Sequence, residues 1–407
     1  MTSEWHEVPL RELVGYISKG IAPSYAEEAS ETTIRVLNQK CNRNFRISYG
    51  DSRLHDTLKK KVPPERYVKP DDILINSTGA GTAGRIAQIE DVPSATTIDG
   101  HMILIRSNRK VTQKFLGYAL KAHQWEVLQL DEGSTGQTEL NRDRLLDEIM
   151  INYPVSFDEQ NAIVGTLESI DRKLIVNEQL NDNLQRQLRT IFKAEFTDNP
   201  ELENITQIPL SELCHVVTKG TTPTTLGKPF VESGINFIKA ESILDDHSID
   251  KSKFAFIDEE TNALLKRSII HAGDVVFTIA GTLGRFALID ENVLPANTNQ
   301  AVAIIRADLE KVLPEYIYTC FIGEWHTDYY AKRVQQAVQA NLSLTTIKSL
   351  PIPLLDEAKM SEYLSLILPL IKAIKTNEAQ NEKLAALRDN LLPKLMSGEI
   401  DVSAVQL

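Results

Sequence analysis

Cysteine is scarce in this chain of 407 residues. Cys41, Cys214 and Cys320 are odd in number, far apart and never in CxxC spacing. That argues against a disulfide framework or a cysteine zinc site and fits a reducing, cytoplasmic setting. Histidine and cysteine nowhere take metal-ligand spacing, so no metal is expected. Long apolar runs are missing too. The longest, Leu364 to Ile371, is interrupted by Ser365 and Pro369, and "MTSEWHEVPLRELV" has no basic start before an apolar core. Neither a membrane partner nor an export signal is expected. Catalytic signatures are equally absent. There is no glycine-rich cofactor loop between strand and helix, no "NPPY"-like or "DPPY"-like tract, and no "GxxxxGK[ST]" loop, so no catalytic residue and no bound cofactor are assigned.

A basic excess is also lacking: 44 Lys and Arg stand against 56 Asp and Glu, a formal net charge of −12. Taken alone this argues against a nucleic-acid partner. The distribution argues the other way. Residues 35–69 hold ten basic side chains against three acidic ones, a local charge of +7.

What the sequence has in abundance is itself. "VPLREL" at 8 returns as "IPLSEL" at 208, "SKGIAPS" at 18 as "TKGTTPT" at 218, and "GTAGR" at 81 as "GTLGR" at 281. "HMILIRS" at 101 meets "AVAIIRA" at 301, and "QTELN" at 137 meets "QANLS" at 339. Order is kept throughout, and a period near 200 is too long for a solenoid, so the repeated unit is a whole globular domain with a tail. Short apolar runs such as "DILIN", "MILIR" and "DVVFTI" predict strands, the glycines of "GAGTAG" a hairpin turn, and Lys114–Gln129 and Glu315–Ala331 helices. The fold class is α+β.

The tails read differently. Ile163, Leu167, Ile170 and Leu174, then Leu184, Leu188 and Ile191, step at helical spacing without proline. Leu364, Ile367, Ile371, Ile374, Leu384, Leu387, Leu391 and Leu395 do the same in the second tail, with Pro369 placed to start or kink that helix and Pro393 with Gly398 to end it. Each seam is the natural partner of the other. Chain direction makes the pair antiparallel, a coiled-coil rod with a pseudo-twofold internal repeat, in which Asn177 and Asn181 either set the register or lie on the solvated surface. The expected organisation is a recognition domain at 1–155, a spacer helix at 156–198, a second domain at 199–355, and a second helix with C-terminal tail at 356–407.

Two similar heads at fixed separation suit double-stranded DNA with two half-sites. In the first head Lys40, Arg43, Arg46, Arg53, Lys59, Lys60 and Lys61 form the candidate groove surface, with Phe45, Tyr49 and Tyr67 interleaved. A solvated basic loop is the alternative. Lys19 and Gly20, with Lys219 and Gly220, open turns able to approach a phosphate; Thr221 and Thr222 add hydroxyl donors in the second copy. Arg85 and Arg285 follow the repeated glycine turns and either touch DNA or pack on their own hairpins. Lys239, with Lys251, Lys253, Lys266 and Arg267, is a candidate of a weaker second window, where residues 235–270 carry five basic and seven acidic side chains. Gln137, Asn141, Gln339 and Asn341 are readers of adenine or holders of the junction to each tail. Trp125 and Trp325 are expected in the two cores.

"LRDNLLPKLMSGEIDV", Leu387 to Val402, together with the repeated "KGxxPT"-like, "GTxGR" and "QxxLx" tracts, resembles the specificity subunits of type I restriction-modification enzymes. The resemblance implies two target recognition domains joined by two long antiparallel helices, each domain reading half of a split DNA site while the helices set the gap. It further implies docking of two methyltransferase subunits, which carry S-adenosylmethionine and methylate adenine N6, and of restriction subunits using ATP and Mg. Rival readings are a two-headed protein adaptor without DNA and a self-contained enzyme, for which no catalytic centre is visible.

Overall fold

The computed structural model describes residues 4–79, 81–132, 139–199, 205–325, 327, 329 and 341–402. The chain forms two units, Met1–Lys173 with Leu384–Leu407 and Leu174–Lys383.

In the first unit the run "ILIN" is apolar on both sides because both faces of its strand are covered. Ile73–Asn76 lies between Met102–Ser107 and Ile86–Gln88, and Val14–Lys19 pairs with the far edge of Met102–Ser107, all antiparallel. Alternation with period two sends Ile73, Ile75, Ile103 and Ile105 to one core with Phe115 and Leu116 of the helix Gln113–Ala122. Leu74, Met102 and Leu104 face the opposite side, where they meet Leu37 and Ile98 of a second sheet. There Thr96–Ile98 runs parallel to Thr33–Leu37, which pairs antiparallel with Arg53–Asp56.

The second unit repeats this plan on different side chains. Its first sheet runs Cys214–Lys219, Val302–Ala307, Val275–Thr278, Phe286–Leu288, in the same order and sense. Val275, Phe277, Ala303 and Ile305 enter one core, and Val276, Val302 and Ile304 the other. Ala296–Thr298 again runs parallel to its neighbour, Ile235–Ile238. A buried ion pair recurs with the fold: Arg106 grips Asp72 through Nε at 2.7 Å, and Arg306 grips Asp274 through Nε at 2.7 Å. Each guanidinium makes a second contact to the same carboxylate, and the fork pins one strand of the sheet to the turn that precedes its neighbour.

Both tails are single helices of 40 residues, Phe157–Phe196 and Glu357–Met396. At 1.5 Å per residue each measures about 60 Å. The second helix continues through Pro369 and Pro393. Pro369 therefore does not begin it; Gly398 beyond its end takes φ +74°, the left-handed turn that stops it. In the second unit Leu184, Leu188, Phe192 and Phe196 pack with Tyr363, Ile367, Ile371 and Ile374; in the first, Ile163, Val164 and Leu167 pack with Leu392, Leu395 and Met396. Within both units the helices are antiparallel, since rising numbers in one meet falling numbers in the other. Two expectations fail in detail. Leu387 is 42% exposed, and the seam near the end of the first helix is carried by buried Phe192 beside a half-buried Ile191.

Asn177 and Asn181 are seam residues. Asn177 is fully buried, and its Nδ2 donates to Gln380 Oε1 and Asn381 Oδ1, each at 2.8 Å. Asn377 Nδ2 donates to Asn181 Oδ1 at 2.7 Å. The two pairs are related by the repeat, 177 matching 377 and 381 matching 181, so exchanging the helices exchanges the two pairs.

A second polar lock belongs to the first unit alone. Asp171 accepts from Lys121 Nζ and Arg388 at 3.1 Å each and from the Tyr118 hydroxyl at 2.9 Å. The repeat places Phe321 opposite Lys121 and Ile371 opposite Asp171, so the second unit is apolar at this place. Burial alone would raise the Asp171 carboxyl, yet its three donors outweigh it and hold the group below its usual range.

Trp125 does not join a core: it is 74% exposed on the short helix Gln124–Leu128. Trp325 is half-buried against Phe192 and Phe196. The repeat positions of those phenylalanines in the first unit are Leu392 and Met396, which offer no aromatic ring to meet Trp125.

Candidate nucleic-acid interface

At one end of each first sheet, the strand carrying the Lys–Gly pair finishes beside the loop that starts the next strand. The fit is close. A Cβ on Gly20 would lie 2.1 Å from the Asp99 carbonyl oxygen, and one on Gly220 2.1 Å from that of Thr298. Glycine is thus required by the backbone of the fold itself, where the sequence alone suggested the approach of a phosphate.

The loops against these glycines are preformed. Asp99 Oδ1 accepts from His101 N at 2.9 Å and Asn299 Oδ1 from Ala301 N at 3.0 Å, the same side-chain turn in both copies. Asp99 is buried, and burial pushes its carboxyl above the ordinary range while that N–H pulls it back. Each loop then presents one exposed polar side chain steadied by a threonine. In the first unit the Thr78 hydroxyl shares a 2.7 Å hydrogen bond with His101 Nδ1. In the second the Thr222 hydroxyl donates to Gln300 Oε1. Sequence pattern does not single out His101 or Gln300, because a lone polar residue before a strand carries no pattern; the one signal is its place just ahead of the repeated apolar strand.

The predicted cations differ in their surroundings. Lys19 pairs with Glu139 beside this edge. Lys60 Nζ donates to the Ala22 carbonyl at 2.8 Å, which brings the lysine run next to the Lys–Gly turn. Lys59 lies 3.8 Å from Asp56, Arg43 3.9 Å from Asp51, and the Arg53 guanidinium sits 3.3 Å over the Tyr25 ring. Lys40 and Lys61 are exposed, and Arg46 is half-buried in a small hairpin, Asn42–Arg43 with Arg46–Ile47. The seven residues therefore occupy a turn, a hairpin, a strand and a loop.

The repeated glycine turns are hairpin tips. Gly81 and Gly281 take φ +68° and +77°, Gly84 and Gly284 +84° and +88°, as the turn demands. Their arginines diverge. Arg85 is exposed and donates to Gly81 O of its own turn at 3.2 Å, whereas Arg285 is held by Asp245 at 2.6 and 2.7 Å. In the second unit Lys219 is exposed, Thr221 Oγ1 accepts from Arg267 at 3.4 Å, and Lys239 pairs with Glu241 at 2.9 Å. Asn141 caps the helix Arg142–Glu148 through Asp143 N and Arg144 N; Asn341 is exposed, and Gln137 and Gln339 lie outside the described residues. Among the described residues no cluster of metal-ligating side chains is present, and no helix is long and apolar enough to cross a membrane.

Two copies of one mixed α+β fold, with different polar groups at the same edge, define a duplicated recognition protein. The type I restriction modification DNA specificity domain matches residues 2–186 and again 203–386, and the chain belongs to that family. Over 378 residues it is 25% identical to the type I restriction enzyme MjaIX specificity subunit of Methanocaldococcus jannaschii, covering 88% of this chain and 83% of that one. It is also 25% identical over 246 residues to the EcoBI specificity subunit of Escherichia coli, covering 59% of this chain and 48% of that protein. The crystal structure of a type I restriction-modification S subunit from M. genitalium superposes over 97% of this chain and 96% of its own, with a TM-score of 0.56 at 15% identity, a likeness of fold.

Proposed function

We propose that this chain is the non-catalytic DNA-reading subunit of a type I restriction-modification complex, recognising an asymmetric, bipartite duplex target with one unit per half-site. The observation that carries the reading is the duplication itself: one fold built twice, with His101 and Thr78 at an edge where the second copy has Gln300 and Thr222. Similar scaffolds with different edge groups suit two different half-sites. Two continuous helices of 40 residues, locked by asparagines, suit a spacer between them.

Chemistry is assigned to partners. Two methyltransferase subunits would bring S-adenosylmethionine to adenine N6, and restriction subunits would bring ATP and Mg; a cytoplasmic complex follows from that assembly. The deciding experiment maps methylated adenines in DNA from cells co-expressing the chain with the methyltransferase of its own genome. A split motif with a constant gap is expected. Methylation by the chain alone, given labelled S-adenosylmethionine and DNA, would overturn the non-catalytic role, and the absence of any split motif from the complex would favour a protein adaptor.

A further inference from the structure

Resting on the DNA-reading role proposed above, we infer that base identity is read by the exposed polar side chains on the loops beside the Lys–Gly turns, Gln300 in the second unit and His101 in the first, each oriented by a threonine hydroxyl.

The side chains at this edge differ in their circumstances. Arg285 spends both ends of its fork on Asp245, Lys239 is paired with Glu241, and Lys19 is paired with Glu139. A guanidinium already committed bidentately has to break two contacts before it can grip guanine, and a paired lysine offers a point charge suited to phosphate. Gln300 and His101 are exposed and keep an unspent edge toward solvent.

An exposed glutamine ordinarily samples many rotamers, and fixing it on binding costs entropy. Here one lone pair of Gln300 Oε1 is taken by Thr222, while Asn299 folds the loop beneath it through Ala301 N. The amide plane is thereby set before DNA arrives, with Nε2 and the second Oε1 lone pair available. A donor beside an acceptor is the complement of adenine N7 and N6 in the major groove, so an A·T pair is the expected reading. His101 is steadied in the same way at Nδ1 by Thr78, leaving Nε2 at the edge. Gly20 and Gly220 serve these readers by letting the lysine turn close onto their loops.

The test uses the complex. Q300A and H101A are each expressed with the methyltransferase subunit, beside the unaltered chain, and methylated motifs are mapped. Q300A is expected to relax one base pair in one half-site, with discrimination there falling roughly 5- to 140-fold, the value of one bidentate base contact. H101A is expected to relax one position in the other half only. Thr222→Val, which removes the hydroxyl and keeps the shape, is expected to relax the same base pair as Q300A to a smaller extent. If the unaltered chain yields a split motif and Q300A and H101A reproduce it unchanged, this inference falls while the DNA-reading role stands. A Q300A complex that melts normally yet methylates nothing also overturns it, since one base contact should relax selectivity and not abolish it. If the unaltered chain directs no split motif, the role itself falls and the inference with it.

Discussion

Asn177 Nδ2 lies 2.8 Å from Asn381 Oδ1 across two antiparallel helices, and Asn377 Nδ2 donates likewise to Asn181 Oδ1, so that each helix supplies one donor and one acceptor. Buried amides in an otherwise apolar seam cost stability and gain register, because a slip of one turn in either direction would break both pairs and leave an asparagine facing alanine. Asn381→Ala removes an acceptor from Asn177 and leaves the cavity polar. We expect a loss of about 1–3 kcal/mol in urea unfolding of the full chain, the cost of an unpaired buried polar group. A loss below a few tenths would mean that water takes the place of the missing amide.

Asp171 makes a different kind of prediction. Its carboxylate, little exposed, holds Lys121, Tyr118 and Arg388 together. Removing one member of a buried charged group strands the others, so Asp171→Asn should destabilise the chain by about 3 kcal/mol. The sign of the pH dependence follows. The folded carboxyl titrates below its unfolded counterpart, so its contribution is complete above the unfolded value near pH 4 and is lost as pH falls through the folded one. Melting temperatures of the two proteins should therefore converge in acid and differ most at neutral pH.

Gly220→Ala tests the turn. The added methyl would meet two backbone carbonyl oxygens, at 2.1 Å from Thr298 and 2.4 Å from Asn299, and neither is the end of a flexible side chain. A cost of about 1–3 kcal/mol is expected from overpacking. Gly281→Ala is strained for another reason, its φ of +77°, although its Cβ would meet open space. Thermal melts of the two variants separate crowding from backbone conformation: a Gly220→Ala protein as stable as the parent would show that the loop can move away.

Acidity sets the affinity of the lone chain. With 19 acidic and 13 basic residues at 199–355, non-specific DNA binding at physiological salt should be weak and should strengthen when the methyltransferase joins. Gel-shift titration measures this directly, and tight selective binding by the isolated chain would contradict it. In the complex, Lys40→Glu, Arg43→Glu and Arg46→Glu together should suppress target methylation and lower the salt slope by about 3, one for each phosphate that is no longer neutralised.

Much of this molecule could be read from its letters. The shift of 200 residues announced the duplication, because two copies of one fold must keep glycines at the same positive-φ positions and apolar residues at the same strand positions, as Gly84 and Gly284 do. Helical spacing announced both tails for the same reason: a 40-residue seam cannot be left in water. Side-chain partnership was decided only in three dimensions. Trp125 and Trp325 occupy one repeat position, yet one is exposed and the other rests on Phe192 and Phe196, rings contributed by a helix more than a hundred residues away. Arg85 and Arg285 share a motif, and only the second finds an aspartate. Local sequence sets backbone conformation and the face a side chain occupies, whereas the group it meets comes from distant chain brought near by packing. That is why the strands and helices were legible in advance and the edge formed by His101, Thr78, Gln300 and Thr222 was not.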